Sequence, residues 1–347
     1  MLSEQLKKVF LKNKDPFTDI LGQEQAKQGI KSALLMDRHL IIVGSPGIGK
    51  TTLAKNIANL LPDIEVIEGC SYHCTPKEPI CPSCKQKIKH KTVKLEGVKR
   101  FIRIQGSPDL TVEDLLGDID PITALKFGPL SLEAFTPGKI FKANNGVLFF
   151  DELNRCPEKM QNALLQILEE KKITIGSYDI DFEADFICIC TMNPEDTSTE
   201  KLSDVLLDRF DIIYMNYPEN IEIEKKIVIM KGEKIANVSD EILNLMIYFI
   251  RLLRQDEKLE KKPSVRASIG LYERAQSNAL LKGRKNVLFE DIEDVLVSVL
   301  SHRIRLNPSV RYLQSIEDYI KEQFIKGIKA TKWQNHLEEE QGSGDYR

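Results

Sequence analysis

The stretch that most narrows what this chain can fold into is Gly44-Ser45-Pro46-Gly47-Ile48-Gly49-Lys50-Thr51-Thr52, which satisfies G-x-x-x-x-G-K-[ST]. It follows His39–Val43, an apolar run of strand length. It leads into TTLAKNIANLL, where Leu53, Ile57 and Leu60 share one helical side. Glycines between a strand and a helix let backbone N–H groups turn inward around phosphates, and the helix N-terminus adds partial positive charge. Lys50 would reach the β- and γ-phosphates, and Thr51 would ligate Mg2+ through its hydroxyl. The expected frame is an open α/β sheet with its site at the strand tips.

Three later segments supply partners for that loop. GVLFFDELNR carries four apolar residues, Val147 to Phe150, and ends in Asp151 and Glu152. A buried strand that delivers two carboxylates at its tip suits Asp151 to the Mg2+ shell and Glu152 to polarising a water as general base. FICICTMN is a further strand closing on Asn193, whose amide could hold the attacking water or the γ-phosphate; Cys188 and Cys190 within it read as inert core thiols. LSDVLLDRFDIIYM gives a short helix, Arg209 and another apolar strand. Arg209 reads either as a structural ion-pair former or as a finger for transition-state charge. Further on, Pro263 halts the chain and Ser264 caps a helix with Arg266 in its first turn and Ile269, Tyr272, Ala275 and Ala279 along one stripe.

At 347 residues, 42% hydrophobic and 29% charged, the chain has the make-up of an ordinary globular protein of about two domains. The N-terminus shows no apolar core of signal-peptide length and no run spans a bilayer, so a cytoplasmic protein without membrane contact is expected. In a reducing compartment the cysteines suggest metal ligands or buried thiols before disulfides. CSYHCTPKEPICPSC sets Cys70, Cys74, Cys81 and Cys84 at C-x3-C-x6-C-x2-C, with prolines at 76, 79 and 82 stiffening the turns. Two close pairs can converge tetrahedrally on structural Zn2+, with His73 and His90 as spare donors. An iron–sulfur cluster and non-ligating thiols are the other readings. The same segment is basic: Lys77, Lys85, Lys87, Lys89, Lys91, Lys94, Lys99, Arg100 and Arg103 stand against Glu78 and Glu96. Such a loop is either a solvated face or a nucleic-acid grip, and only Tyr72 and Phe101 are at hand to stack bases. Lys172 to Phe186 alternates apolar and polar residues around Gly176-Ser177, the pattern of a β-hairpin.

The order GSPGIGKTT, FFDELNR, TMNPED, LLDRFD, SVRAS resembles an AAA+ ATPase, in the branch that holds the MoxR proteins and the I subunit of magnesium chelatase. RIQGSPDLTVEDLLGD and LLQILEEKKITIG resemble MoxR; TPGKIFKANNGVLFFDE, IEVIEGC and TMNPED resemble the chelatase subunit. The likeness covers residues 15 to 305. It implies a P-loop AAA+ parallel sheet flanked by helices, an all-helical C-terminal lid and a small four-cysteine insert. The expected bounds are residues 1–215 for the nucleotide domain (insert about 70–100), 216–330 for the lid and 331–347 for a tail, with strands near His39, Glu65, Phe101, Val147, Phe186 and Asp211. RQDEKLEKKP is expected to be a mobile link in the lid. The resemblance further implies an ATP-hydrolysing ring, a hexamer, with ATP and Mg2+ at subunit boundaries. Gly22 and Gln23 would border the adenine. Lys50, Thr51, Asp151, Glu152 and Asn193 would act in cis, Arg209 in the neighbour's site, and Arg266 as second sensor in cis or in trans. Residues 125–136 resemble the branch's helix insert, and the hairpin would line a pore or be an ordinary surface hairpin. Three functions follow: a MoxR-type motor remodelling a protein partner, often one with a von Willebrand A domain; the ATPase subunit of a metal chelatase; or a ring that remodels nucleic acid.

Overall fold

The computed structural model describes residues 2–329 apart from residues 14, 88, 129, 130, 132, 133, 171, 176, 177, 184 and 195–201, with the backbone alone for residues 82, 170, 172–175 and 178–183. The chain divides into two compact units. The first holds residues 1–45 and 49–215; the second holds residues 216–347 with the loop residues Pro46–Ile48. The tail 331–347 lies outside the described residues.

The first unit is built on five parallel strands: β1 (His39–Val43), β2 (Phe101–Gln105), β3 (Gly146–Asp151), β4 (Phe186–Met192) and β5 (Phe210–Tyr214). Their order across the sheet is β5-β1-β4-β3-β2. Strands β1, β3 and β4 are almost wholly buried, which is why they read as unbroken apolar runs rather than alternating ones. The chain opens with helices α1 (Leu2–Lys12) and α2 (Glu24–Leu34), α3 (Lys50–Leu60) leaves the phosphate loop, and α4 (Glu158–Glu170) follows β3. Period-two alternation puts Ile41, Leu148, Phe150, Cys188 and Cys190 on one face, where they share a core with Met160, Leu164 and Ile167 of α4. Cys188 and Cys190 are fully buried, as inert core thiols should be.

Pairing registers bring four strand ends nearly level: Val43 pairs with Met192, Cys190 with Phe150 and Gln105 with Asp151. The strand near Glu65 exists but lies outside this sheet. Ile64–Ile67 pairs antiparallel with Thr92–Leu95, forming a ribbon that frames the cysteine segment. Between β2 and β3, Gly117–Ile119 pairs with Phe135–Pro137, and a short helix, Pro121–Phe127, lies between them in the region of the expected insert. Lys172–Ile175 and Tyr178–Glu183 form the antiparallel hairpin; its expected Gly176-Ser177 turn lies outside the described residues.

The second unit packs α5 (Ile221–Lys231), α6 (Asp240–Gln255), α7 (Val265–Leu281), α8 (Phe289–Leu300) and α9 (Ile316–Lys329) around one core. Ser239 starts α6 by accepting the Ile242 N–H through its hydroxyl at 3.2 Å, an N-cap bond of the usual kind. The helices enclose one element that the sequence reading lacked. Leu259–Lys261 pairs antiparallel with Arg305–Leu306, so part of the supposed mobile link is a strand, anchored by buried Leu259 and Leu306.

Candidate functional site: a phosphate loop facing an acidic strand tip

Gly47 and Gly49 adopt φ of 78° and 103°, the left-handed backbone that a loop curling around phosphate needs and that side chains resist. The Gly44 N–H donates to the Met192 carbonyl at 3.3 Å, which ties the loop to the tip of β4. Lys50 opens α3 and folds its Nζ back onto the carbonyls of Gly44 and Ser45, at 2.5 and 3.0 Å. The ammonium thus sits within the loop's own curve, ready to exchange carbonyls for phosphate oxygens. Thr51 and Thr52 follow, half-buried in the first turn of α3. Gly22 and Gln23 have φ of 68° and 61°, and Gln23 precedes α2 as its N-cap residue. Asn56 holds this lead-in against α3 by donating to Asp19 at 3.0 Å.

Asp151 and Glu152 stand at the tip of β3, and a backbone reversal separates them. Glu152 takes a left-handed φ of 58°, so its carboxylate diverges from that of Asp151. Thr191, fully buried near the end of β4, joins the two. Its hydroxyl donates to Asp151 Oδ1 at 2.6 Å and accepts the Glu152 N–H at 2.9 Å. From β2, Arg103 donates to Asp151 Oδ2 at 2.6 Å, and Gln105 donates to Glu152 Oε2 at 3.0 Å. Arg155 pairs with the same Glu152 oxygen at 3.1 Å. Gly106, just past β2, donates its N–H to the Asp151 carbonyl at 2.6 Å, and a Cβ there would lie 2.1 Å from the Glu152 carbonyl oxygen. Only glycine admits so close an approach.

The structure therefore brings Asp151 and Glu152 together with three residues that sequence reasoning missed: Arg103, Gln105 and Thr191. A polar residue inside an otherwise apolar strand was the available sign for Thr191. Arg103 and Gln105 carry no sign of their own, because their roles come from strand register. Asn193 lies just beyond β4, its carbonyl accepting from Asn154 at 3.3 Å. Arg209 sits between the short helix Asp204–Leu207 and β5, paired with Glu169 and, at 3.1 Å, with Asp208. In the second unit Arg266 is exposed in the first turn of α7, where Ser264 is the N-cap residue but makes no side-chain cap bond. Ile269 is half-buried there, and Tyr272, Ala275 and Ala279 are buried. Arg303 lies against α7 at Gly270, and burial first, then the neighbouring charge of Arg266, holds its guanidinium below the usual range. That second cation also escaped the sequence reading.

The sulfurs of Cys70, Cys74, Cys81 and Cys84 all lie within 4.8 Å of one another. The Cys70 and Cys81 sulfurs are 3.8 Å apart, the edge of a tetrahedron with bonds of about 2.3 Å to a central Zn2+. Backbone N–H groups of Ile80 and Cys81 point at the Cys74 sulfur, at 3.3 and 3.4 Å, as they do toward bound thiolates. The residues fit a tetrahedral thiolate site. His73 and His90 are not among the converging ligands.

Comparison with known proteins agrees with this geometry. The family described as magnesium chelatase, subunit ChlI, matches residues 16–78; the ATPase family associated with various cellular activities (AAA) matches residues 82–212; and the AAA lid domain matches residues 252–322. A magnesium-chelatase subunit ChlI homolog of Methanocaldococcus jannaschii is 28% identical, with 84% of this chain and 86% of that one covered. The magnesium-chelatase subunit ChlI of Synechocystis is 28% identical, with 87% and 90% covered. A solved chain from the complex between subunits BchI and BchD of magnesium chelatase matches at 22% identity and a TM-score of 0.49, with 86% and 99% covered. Among the described residues no helix is long and apolar enough to cross a membrane. With a phosphate loop, an acidic strand tip, a lid and matching families along most of its length, this chain carries the domains of an AAA+ ATPase and is similar to the I subunit of magnesium chelatase, consistent with the branch that also holds the MoxR proteins.

Proposed function

We propose that the chain is the ATP-hydrolysing subunit of a ring, a hexamer, that does mechanical work on a separate protein partner. The observation that carries this is the tip of β3: two carboxylates turned apart by a left-handed Glu152, each with its own hydrogen-bond partners. Lys50, Thr51 and Asp151 would hold ATP and Mg2+, which when bound supply the phosphoanhydride and a Lewis acid for its oxygens. The phosphate-loop N–H groups orient the phosphates, and Gly22 and Gln23 border the adenine. Glu152 takes the proton of the attacking water at a carboxylate oxygen, while the Asn193 amide orients that water. Arg209 exchanges its local carboxylates for the terminal phosphate of a neighbouring subunit, and Arg266 reads the same group from the lid. Hydrolysis then shifts the Lys172–Glu183 hairpin against the partner.

Two partner classes remain in view. The comparisons favour a chelatase-like assignment, in which hydrolysis drives metal insertion on another subunit; the MoxR-type assignment has the ring remodel a partner carrying a von Willebrand A domain. A nucleic-acid-remodelling ring is the weaker alternative, and it requires DNA to stimulate the ATPase. We further propose Zn2+ at the four cysteines, whose sulfurs converge, and a reducing, cytoplasmic setting. The test is Glu152→Gln, which should keep ATP affinity, lower hydrolysis by about 100-fold or more and retain its partner in a stable ATP-bound complex. Ordinary turnover in that variant would remove Glu152 as the base and this mechanism with it.

A further inference from the structure

The four-cysteine segment sits far along the chain from the carboxylates, yet it touches the strands that carry them at their opposite ends. Tyr72 and His73 form the knuckle between Cys70 and Cys74. His73 has a left-handed φ of 46°, and both residues offer their carbonyls outward. Asn144 donates its amide to the Tyr72 carbonyl at 2.9 Å, and Asn145 donates to the His73 carbonyl at 3.2 Å. These asparagines are the last two residues before β3. The same turn governs the start of β4: Asn144 Oδ1 accepts the Asp185 N–H at 3.0 Å, and the Asn145 N–H donates to the Asp185 carbonyl at 2.6 Å. Asp185 stands directly before β4 and two residues after the hairpin strand Tyr178–Glu183.

One turn therefore links three things: the cysteine knuckle, the start of the strand that ends in Asp151, and the start of the strand that ends in Thr191 and leads to Asn193. The knuckle also packs its Tyr72 ring edge-on against Phe141, with centroids 5.0 Å apart. Arg100, fully buried, adds a second tie by donating to the Asn145 carbonyl and to the Pro62 carbonyl beyond α3, each at 2.6 Å.

We propose that the metal-bound cysteine module is a brace for the catalytic strands. By fixing the Tyr72–His73 knuckle, a Zn2+ ion in the tetrathiolate holds Asn144 and Asn145, and through them the starts of β3 and β4 and the base of the hairpin. This rests on the zinc reading given above. Buried amides left without partners are costly, so a knuckle that moves must release the turn with it. A six-residue strand spans about 20 Å, and β3 is hydrogen-bonded to a parallel neighbour on each side, so a shift at its start is passed along the ladder toward its tip. Asn144 and Asn145 are positioning residues; neither touches nucleotide.

The test uses the full chain and separates the two layers. Zinc content is measured per chain, and Co2+ is added to zinc-stripped protein to look for thiolate-to-metal absorption. Amide hydrogen exchange is then followed over residues 144–149 and 185–190, without nucleotide, in loaded and stripped wild type and in loaded Asn144→Asp. That substitution keeps an acceptor for the Asp185 N–H and replaces the donor to the knuckle by a carboxylate oxygen facing the Tyr72 carbonyl. Stripping zinc should raise exchange in both segments by about fivefold, the factor for losing one net hydrogen bond. Asn144→Asp should keep its zinc and reproduce that rise, with kcat lowered and the KM for ATP unchanged. If zinc is present and its removal leaves exchange unaltered, the brace is refuted while the metal site stands. If no zinc is found and Co2+ gives no thiolate band, the metal site itself fails, and the brace falls with it.

Discussion

Thr191 sets a single hydroxyl against both residues of the strand tip, the Asp151 carboxylate and the Glu152 backbone. It is fully buried, it gives its proton to Asp151, and it receives the N–H that begins the Glu152 reversal. Thr191→Val preserves the shape and deletes both bonds, leaving a buried N–H unsatisfied and Asp151 freer to turn toward Arg103. The expected cost is about 1–3 kcal/mol of stability, read as a lower denaturation midpoint. A higher Mg2+ requirement for hydrolysis should accompany it. Wild-type stability and an unchanged Mg2+ dependence would show that the hydroxyl is dispensable. At this scale the sequence was legible where the chemistry is contiguous. Gly44 to Thr52 and Asp151-Glu152 are local patterns whose meaning needs only their neighbours along the chain. Thr191, Arg103 and Gln105 act on groups 39 to 48 positions away, and no local pattern encodes that.

Strands and helices show the same division. The apolar runs at His39, Val147 and Phe186 announce buried parallel strands, because both faces of such a sheet are covered. Ile64–Ile67 gives much the same signal and joins a ribbon instead, since strand propensity does not specify a partner. The link RQDEKLEKKP reads as mobile from its charge, yet pairing with Arg305–Leu306 buries Leu259 and orders it. Among helices, the joint of α5, α6 and α7 turns on Glu224. This fully buried carboxylate is gripped by Arg254 through two bonds of 2.6 Å and by the Ser268 hydroxyl at 2.6 Å. Arg254 in turn stacks over Tyr217 at 4.7 Å and donates to the Pro263 carbonyl, just before α7. Arg254→Met leaves the buried Glu224 carboxylate with only Ser268 and the more distant Arg251, at 3.6 Å, and should cost about 3 kcal/mol, whereas the double change Glu224→Met with Arg254→Met should recover much of that loss. Denaturant midpoints of the two single variants and the double variant decide the matter. A double variant as unstable as the sum of the singles would mean that the helices are held elsewhere.

For the whole molecule the open issue is whether one chain can turn over ATP alone. In the proposed mechanism Arg209 is the group that a neighbouring subunit would supply in trans, and within its own chain it is paired with Glu169 and Asp208. Those partners are partly exposed, 40% for the Glu169 side chain and 79% for that of Asp208. Exposed pairs contribute only about 0–1 kcal/mol, so in the proposed ring a neighbour's terminal phosphate, carrying more charge, would displace them readily. The pairing therefore parks the arginine without locking it. It follows that specific ATPase activity should fall as the protein is diluted below its assembly range, in step with the loss of oligomer seen by mass measurement. Glu169→Gln should raise activity by less than about fivefold, the ceiling set by so weak a pair. Mixing inactive Arg209→Ala with inactive Lys50→Ala should regain part of the rate, because some boundaries then combine an intact loop with an intact arginine. A chain that stays monomeric yet keeps full activity over a thousandfold dilution would instead put every catalytic group in cis, and Arg209 would be a surface ion pair and nothing more.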